Sequence, residues 1–156
     1  MFTPIQNPTL QLNARGAAVR DLQTLLNTRV SADYRVVVDG FFGPKTETAV
    51  KAFQYSKLLT RDGVVGPKTW QALKTNQPAE HPMIRQGSRG ASVQIAQTLL
   101  TDARFYAGAI DGEFGPRTEA AVKKFQQDRQ LKPVDGIVGR QTWAALAQMA
   151  QMLAFA

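Results

Sequence analysis

The stretch DGFFGPKTETAVKAFQ at residues 39–54 returns as DGEFGPRTEAAVKKFQ at 111–126, with twelve of sixteen positions identical. A shorter echo lies inside each copy, DGVVGPKTW at 62–70 and DGIVGRQTW at 135–143. The formula Asp-Gly, two residues, Gly, then Thr three residues later therefore occurs four times. Internal repetition of this kind fixes the architecture before any other feature is weighed. It predicts two domains of one plan.

The residues of the formula say what it builds. Asp-Gly suits a tight turn, because Asp bonds nearby backbone N–H groups and Gly adopts positive φ without a Cβ clash. Pro44, Pro67 and Pro116 follow Gly43, Gly66 and Gly115, where a helix's first turn has no use for the missing N–H. Beyond Pro44, Ala49, Val50 and Phe53 fall at helical spacing, matched by Ala121, Val122 and Phe125. Each unit reads as a turn followed by an amphipathic helix.

Taken in order, residues 1–11 with Pro4 and Pro8 read as an extended arm. A first helix is expected from Gly16 to about Thr28 on Val19, Leu22, Leu25 and Leu26, then a loop at 29–38, a helix from Pro44 to about Lys57 and one from Pro67 to about Lys74. The Val36–Val38 run beside a turn is too short for a strand. Residues 12–75 thus form a first three-helix repeat, 76–84 with Pro78 and Pro82 a linker, and 85–156 a second repeat with a helical extension. That extension, ending in Leu153 and Phe155, covers an edge of the second bundle or joins a partner. The fold class predicted is all-α, two tandem three-helix bundles with Asp-Gly turn loops.

Composition narrows the function. The net charge of +7 is shared between the halves, ten Lys/Arg against six Asp/Glu in residues 1–80 and nine against six in 81–156. Such a balance favours polyanionic partners. Zero cysteines remove disulfides and thiolate chemistry. Residues 1–13 show neither a charged n-region nor an apolar core, so no secretory signal is expected there. No apolar run reaches the ~18 residues a membrane span needs.

Gly16, Val19, Leu22, Gln23 and Leu26, followed by Asp39, Gly40, Phe42, Gly43, Thr46, Ala49, Val50, Phe53 and Gln54 and closed by Asp62, Gly63, Gly66, Thr69, Trp70 and Leu73, carry a pattern that resembles the peptidoglycan-binding family of small three-helix modules. The second copy matches at Gly90, Val93, Gln97, Leu100, Asp111, Gly112, Phe114, Gly115, Thr118, Ala121, Val122, Phe125, Gln126, Asp135, Gly136, Gly139, Thr142, Trp143 and Leu146. It departs at Ala96, where copy one has Leu22, and at Arg140, where the other helix starts have Pro. The resemblance implies a non-catalytic module that holds bacterial cell-wall glycan-peptide, commonly joined to a wall hydrolase or phage lysin. It implies action at the wall or outside the cytoplasm, with wall hydrolases, virions or injection devices as associates and no cofactor. A related fold in matrix metalloprotease propeptides uses a cysteine to cap zinc, a role this chain cannot fill.

Catalytic inventories are thin. Zinc hydrolases need several His or Cys ligands, and His81 is the single histidine. Ser31, Ser56, Ser88 and Ser92 lack a nucleophile motif. Glu47 and Glu119 belong to different repeats and sit at helix starts, where acids favour the macrodipole. The candidate ligand contacts are therefore those of the turns and helix starts. In copy one they are Tyr34, Asp39, Gly40, Phe41, Lys45, Thr46, Asp62, Gly63, Lys68 and Thr69. In copy two they are Tyr106, Asp111, Gly112, Arg117, Thr118, Asp135, Gly136, Arg140 and Thr142. For the Asp residues turn closure is the simpler role, for Phe42, Phe53, Phe114 and Phe125 the core, and for Trp70 and Trp143 a core plug with its N–H near solvent. Tyr34, Tyr106, Phe41 and Tyr55 are expected to be exposed. Lys45, Lys68, Arg117 and Arg140 sit at helix N-termini, where unpaired N–H groups and a cation suit an anion such as a wall carboxylate or phosphate. The alternative is a basic adaptor for nucleic acid or another protein; no recognition-helix or RNA-binding motif supports nucleic acid.

Overall fold

The computed structural model describes residues 7–156. Its six α-helices are α1 (Ala17–Asn27), α2 (Pro44–Ser56), α3 (Pro67–Thr75), α4 (Ala91–Asp102), α5 (Pro116–Asp128) and α6 (Arg140–Ala154). A single 3₁₀ turn spans Ala32–Tyr34. Contacts divide the chain into one unit running to Ala79 that also takes Gln151–Ala156, and a second unit of Glu80–Ala150. Each is an all-α bundle of three helices.

Helix starts follow from local chemistry. Gly43, Gly66 and Gly115 occupy N-cap positions with extended backbone, and Pro fills the first helical position behind each. Without Pro, α6 begins at Arg140 and the Trp143 N–H closes its first turn on the Gly139 carbonyl.

The first unit's core joins Val19, Leu22 and Leu26 of α1, Phe42, then Val50 and Phe53 of α2 and Trp70 and Leu73 of α3. In the second unit Val93, Ala96 and Leu100, Phe114, Val122 and Phe125, and Trp143 and Leu146 take the same places, all buried, and Met149 is buried beyond them on α6. Ala96, in the place of Leu22, is fully enclosed as well.

Two short segments are more than tether. Leu10 exchanges backbone hydrogen bonds with Val65 in the first unit, and Ile84 does the same with Val138 in the second. Both Leu10 and Ile84 are buried. The stretches expected as extended arm and linker thus contribute Leu10 and Ile84 to the modules. The Trp70 indole N–H donates to the Pro8 carbonyl at 2.9 Å, and the Trp143 N–H to the Pro82 carbonyl at 2.9 Å. The indole N–H groups, expected near solvent, donate to the backbone of exposed prolines. Pro4, which also marked the arm, lies outside the described residues.

Candidate functional site

The repeated Asp-Gly formula is held by a side chain on the preceding helix. Gln23 of α1 donates from Nε2 to Asp39 Oδ1 (3.0 Å), the Phe41 carbonyl (3.0 Å) and Thr46 Oγ1 (3.2 Å). Its Oε1 accepts the Asp39 and Gly40 N–H groups at 3.1 and 3.0 Å. One buried amide therefore clamps the turn and the next helix together.

The clasp recurs at every copy of the formula. Gln54 holds Asp62, Gly63, the Val64 carbonyl and Thr69. Gln97 holds Asp111, Gly112, the Glu113 carbonyl and Thr118. Gln126 holds Asp135, Gly136, the Ile137 carbonyl and Thr142. All four Gln are about as buried as the core phenylalanines, none above 1% exposed. Burying a primary amide is costly unless both its ends are bonded, and here both are.

Each turn glycine has a positive φ between 73° and 76°, the left-handed region that a Cβ disfavours. At Gly136 a Cβ would also lie 2.6 Å from Glu119 Cγ. Each Asp closes its own turn by accepting the N–H two residues on, at 2.9 to 3.0 Å. The Phe41 N–H first, and then the Gln23 amide, hold the Asp39 carboxyl below its ordinary value. Asp111 is lowered in the same way by the Glu113 N–H and then Gln97. For Asp135 the Ile137 N–H leads, against a smaller opposing effect of burial, with Gln126 adding to it.

The predicted contact residues sort by exposure. Thr46, Thr69, Thr118 and Thr142 are buried, their hydroxyls taken by the Gln amides, and Gly40, Gly63, Gly112 and Gly136 lie in the clasps. These eight positions are spent on folding. Tyr106, expected to be exposed, is buried, with its hydroxyl donating to the Ala109 carbonyl at 2.6 Å. Tyr55 is buried as well. Tyr34 is half-buried, its ring edge-on to Phe155 of the same unit. That contact also corrects the expected place of the C-terminal extension, whose last six residues belong to the first unit.

What remains at the surface is charge and one ring. Lys45, Lys68, Arg117, Arg140 and the four turn Asp residues are exposed. Phe41 is half-buried under the Arg15 guanidinium, 4.4 Å from the ring centroid. Lys45, Lys68 and Arg117 stand second in their helices and Arg140 first. Among the described residues none of these four cations forms an ion pair. His81 stacks on Trp143 at 4.5 Å and lies 2.8 Å from the Ser92 hydroxyl through Nδ1, which fastens its segment to the second module.

Two copies of a clasped three-helix module define the class of protein. The chain belongs to the family described as a putative peptidoglycan binding domain, whose model matches residues 15–73 and again 89–146. It is 31% identical over 156 residues to the N-acetylmuramoyl-L-alanine amidase CwlM of Mycobacterium tuberculosis, covering 88% of this chain and 37% of that protein. It is 42% identical over 60 residues to the spore cortex-lytic enzyme of Bacillus subtilis, covering 38% of this chain and 20% of that one. The chain thus spans well under half the length of these enzymes. Among solved structures, the SleB N-terminal domain is similar with a TM-score of 0.44 and 35% identity, over 46% of this chain and 96% of that one. A Burkholderia AP3 phage endolysin has a TM-score of 0.44 and 36% identity, over 60% and 33%.

Proposed function

We propose that the chain binds bacterial peptidoglycan through its two modules, without catalysing a reaction, and so anchors or targets a wall-acting protein or assembly. The observation that carries this reading is the family match in both halves, which together take up most of the chain. The names of the relatives support it, since these are wall amidases and spore cortex-lytic enzymes whose length extends well beyond the matched part. A wall hydrolase, or a phage or injection-device component, is the associate this reading assigns.

The contact surface in this reading comprises the exposed cations of the predicted set, Lys45, Lys68, Arg117 and Arg140, with the half-buried Phe41 and the rims of the Asp-Gly turns. The net charge of +7 favours an anionic wall, and exposed cations act chiefly by raising encounter and by salt-screened attraction. Two modules on one chain add avidity, because the second contact becomes intramolecular.

Sedimentation with purified insoluble sacculi tests the reading. The full chain is expected in the pellet, with retention unchanged by excess duplex DNA. A chain left in the supernatant, or one displaced by DNA, would overturn it in favour of a basic adaptor.

A further inference from the structure

The two modules are alike in their clasps and differ on the outward side of the second helix. In the second module a groove of about 280 Å³ opens between the loop Phe105–Gly108 and α5, where Arg117, Ala120, Ala121 and Lys124 line it. Its shape has identifiable causes. Ala120 and Ala121 are small and leave a hollow on the helix face. The opposite wall is fixed, because the Tyr106 hydroxyl is bonded to the Ala109 carbonyl and the Gly108 backbone crosses the ring tip. A Cβ at Gly108 would lie 2.6 Å from that hydroxyl oxygen. Phe105 stands edge-on to the core ring of Phe125 at 5.6 Å.

The charge of the groove has one sign. Arg117 and Lys124 stand seven residues apart on α5, two turns and about 10 Å along one face. Neither forms an ion pair among the described residues, although Lys123 next door is paired with Glu119. A peptide in the polyproline II form rises about 3.1 Å per residue and repeats every three residues, so carboxylates three residues apart lie on one side about 9 Å apart and match the two cations. The volume lies at the small end for ligand sites, which suits a short segment rather than a folded partner.

We infer that this groove of the second module is a binding site for a short acidic peptide carrying two carboxylates about three residues apart, which rests on the wall-binding reading in taking the peptide part of the polymer as its source. The corresponding positions of the first module argue that the site is not duplicated. Counting back from Asp-Gly, Phe105 and Gly108 are replaced by Asp33 and Val36, and on the helix Lys124 is replaced by Ala52. The first module thus has an acid and a branched side chain where the second has an aromatic wall and a bare backbone, and it lacks the second cation.

The test is an amide chemical-shift titration of the full chain with three probes: a synthetic wall stem peptide with free carboxylates, the same peptide with its carboxylates amidated, and a chitin oligosaccharide. Only the free-carboxylate peptide is expected to shift residues 105–108 and 117–124. The double variant Arg117→Gln/Lys124→Gln should weaken it about tenfold, the scale of losing charge-assisted contacts. Ala120→Glu, at an exposed helix position, should do the same by placing an acid among the two cations, and the wild-type spectrum elsewhere checks that both variants fold. Shifts produced equally by the amidated peptide or by the glycan, shifts centred outside the groove, or less than a twofold loss in both variants would each overturn the proposal. Sedimentation with sacculi runs alongside. Retention without groove shifts sinks the groove and leaves wall binding standing, whereas groove shifts without retention sink wall binding and leave an acidic-peptide site.

Discussion

The first and second modules share the main devices that make the fold and differ most in the loop between their first two helices. Both have two Gln clasps, a backbone pair before the first turn, a Trp N–H tied to a Pro carbonyl, and a Glu–Lys pair one turn apart on the middle helix, Glu47–Lys51 at 3.7 Å and Glu119–Lys123 at 3.4 Å. The loop between the first two helices differs. In the first module Asn27 brackets Val36 with two hydrogen bonds of 2.8 Å, one to each backbone group. In the second a shorter loop is pinned by the Tyr106 hydroxyl, and the groove opens behind it. A duplicated chain thus carries its own control: the clasps that recur are accounted for by folding, and the loop that diverges is free to serve recognition.

The largest effect is expected from the clasps. Gln54→Ala and Gln126→Ala each strip partners from a buried glycine N–H, a carbonyl and a threonine hydroxyl. Several unsatisfied groups at once should cost about 3 kcal/mol or more, enough to unfold the affected module of a small domain. Urea unfolding followed by circular dichroism measures it. The two variants should lose similar amounts. A large loss in one and a loss under about 1 kcal/mol in the other would break the equivalence of the modules.

Next come the indole anchors. Trp70→Phe and Trp143→Phe keep most of the buried ring but leave the Pro8 and Pro82 carbonyls without their donor, at about 1 kcal/mol each. Trp143→Phe also alters the stack with His81, which has no counterpart in the first module, so it should cost somewhat more. Equal thermal shifts would show the histidine stack to be neutral.

How much of this was legible in the sequence can be argued residue by residue. The Gly-Pro starts and the apolar stripes located the helices closely because both signals are local. The Gln clasp was not read, since a Gln on a helix looks like solvent-facing surface. Its recurrence before every Asp-Gly pair was the signal that could have found it. The threonines read as ligand contacts for the same reason: their partner is fifteen or more residues away in the chain, and only the fold brings it close. Pro8 and Pro82 read as breakers, which hid the use of their carbonyls. Tyr106 reads as exposed because it lies in a loop off the apolar stripes, whereas its hydroxyl finds a carbonyl three residues on.

Acid should act on the clasps of both modules. The carboxyls of Asp39, Asp111 and Asp135 are depressed in the fold below the ordinary 3.8, chiefly by backbone N–H bonds. A group depressed on folding contributes stability that is present above its unfolded value and lost as pH falls through the folded one. The thermal midpoint should therefore be flat from neutral pH down to about 5 and decline below 3.8, the unfolded reference for these groups. Asp39→Asn with Asp111→Asn and Asp135→Asn keeps an acceptor oxygen in each turn and should flatten that decline. A triple variant that falls as steeply as the wild type would move the acid sensitivity elsewhere.

The smallest effect on stability, and the sharpest separation of fold from recognition, is expected at the helix-start cations. Lys45, Lys68, Arg117 and Arg140 lie at the positive ends of their helix dipoles, where a base is disfavoured and an acid would be favoured. All four are exposed, so solvent screens the penalty and the total should stay below about 1 kcal/mol. Replacing all four by Gln should leave the thermal midpoint unchanged or slightly raised. Retention on sacculi should fall at low salt, with the gap from wild type closing as salt screens the attraction. Restoring Arg117 alone should recover more retention than restoring Lys45 alone, because Arg117 lines the groove together with Lys124, two turns along the same helix, while the residue two turns on from Lys45 is Ala52. Equal recovery from either cation would show that these charges act through the overall field, and it would erase the functional difference between the two modules.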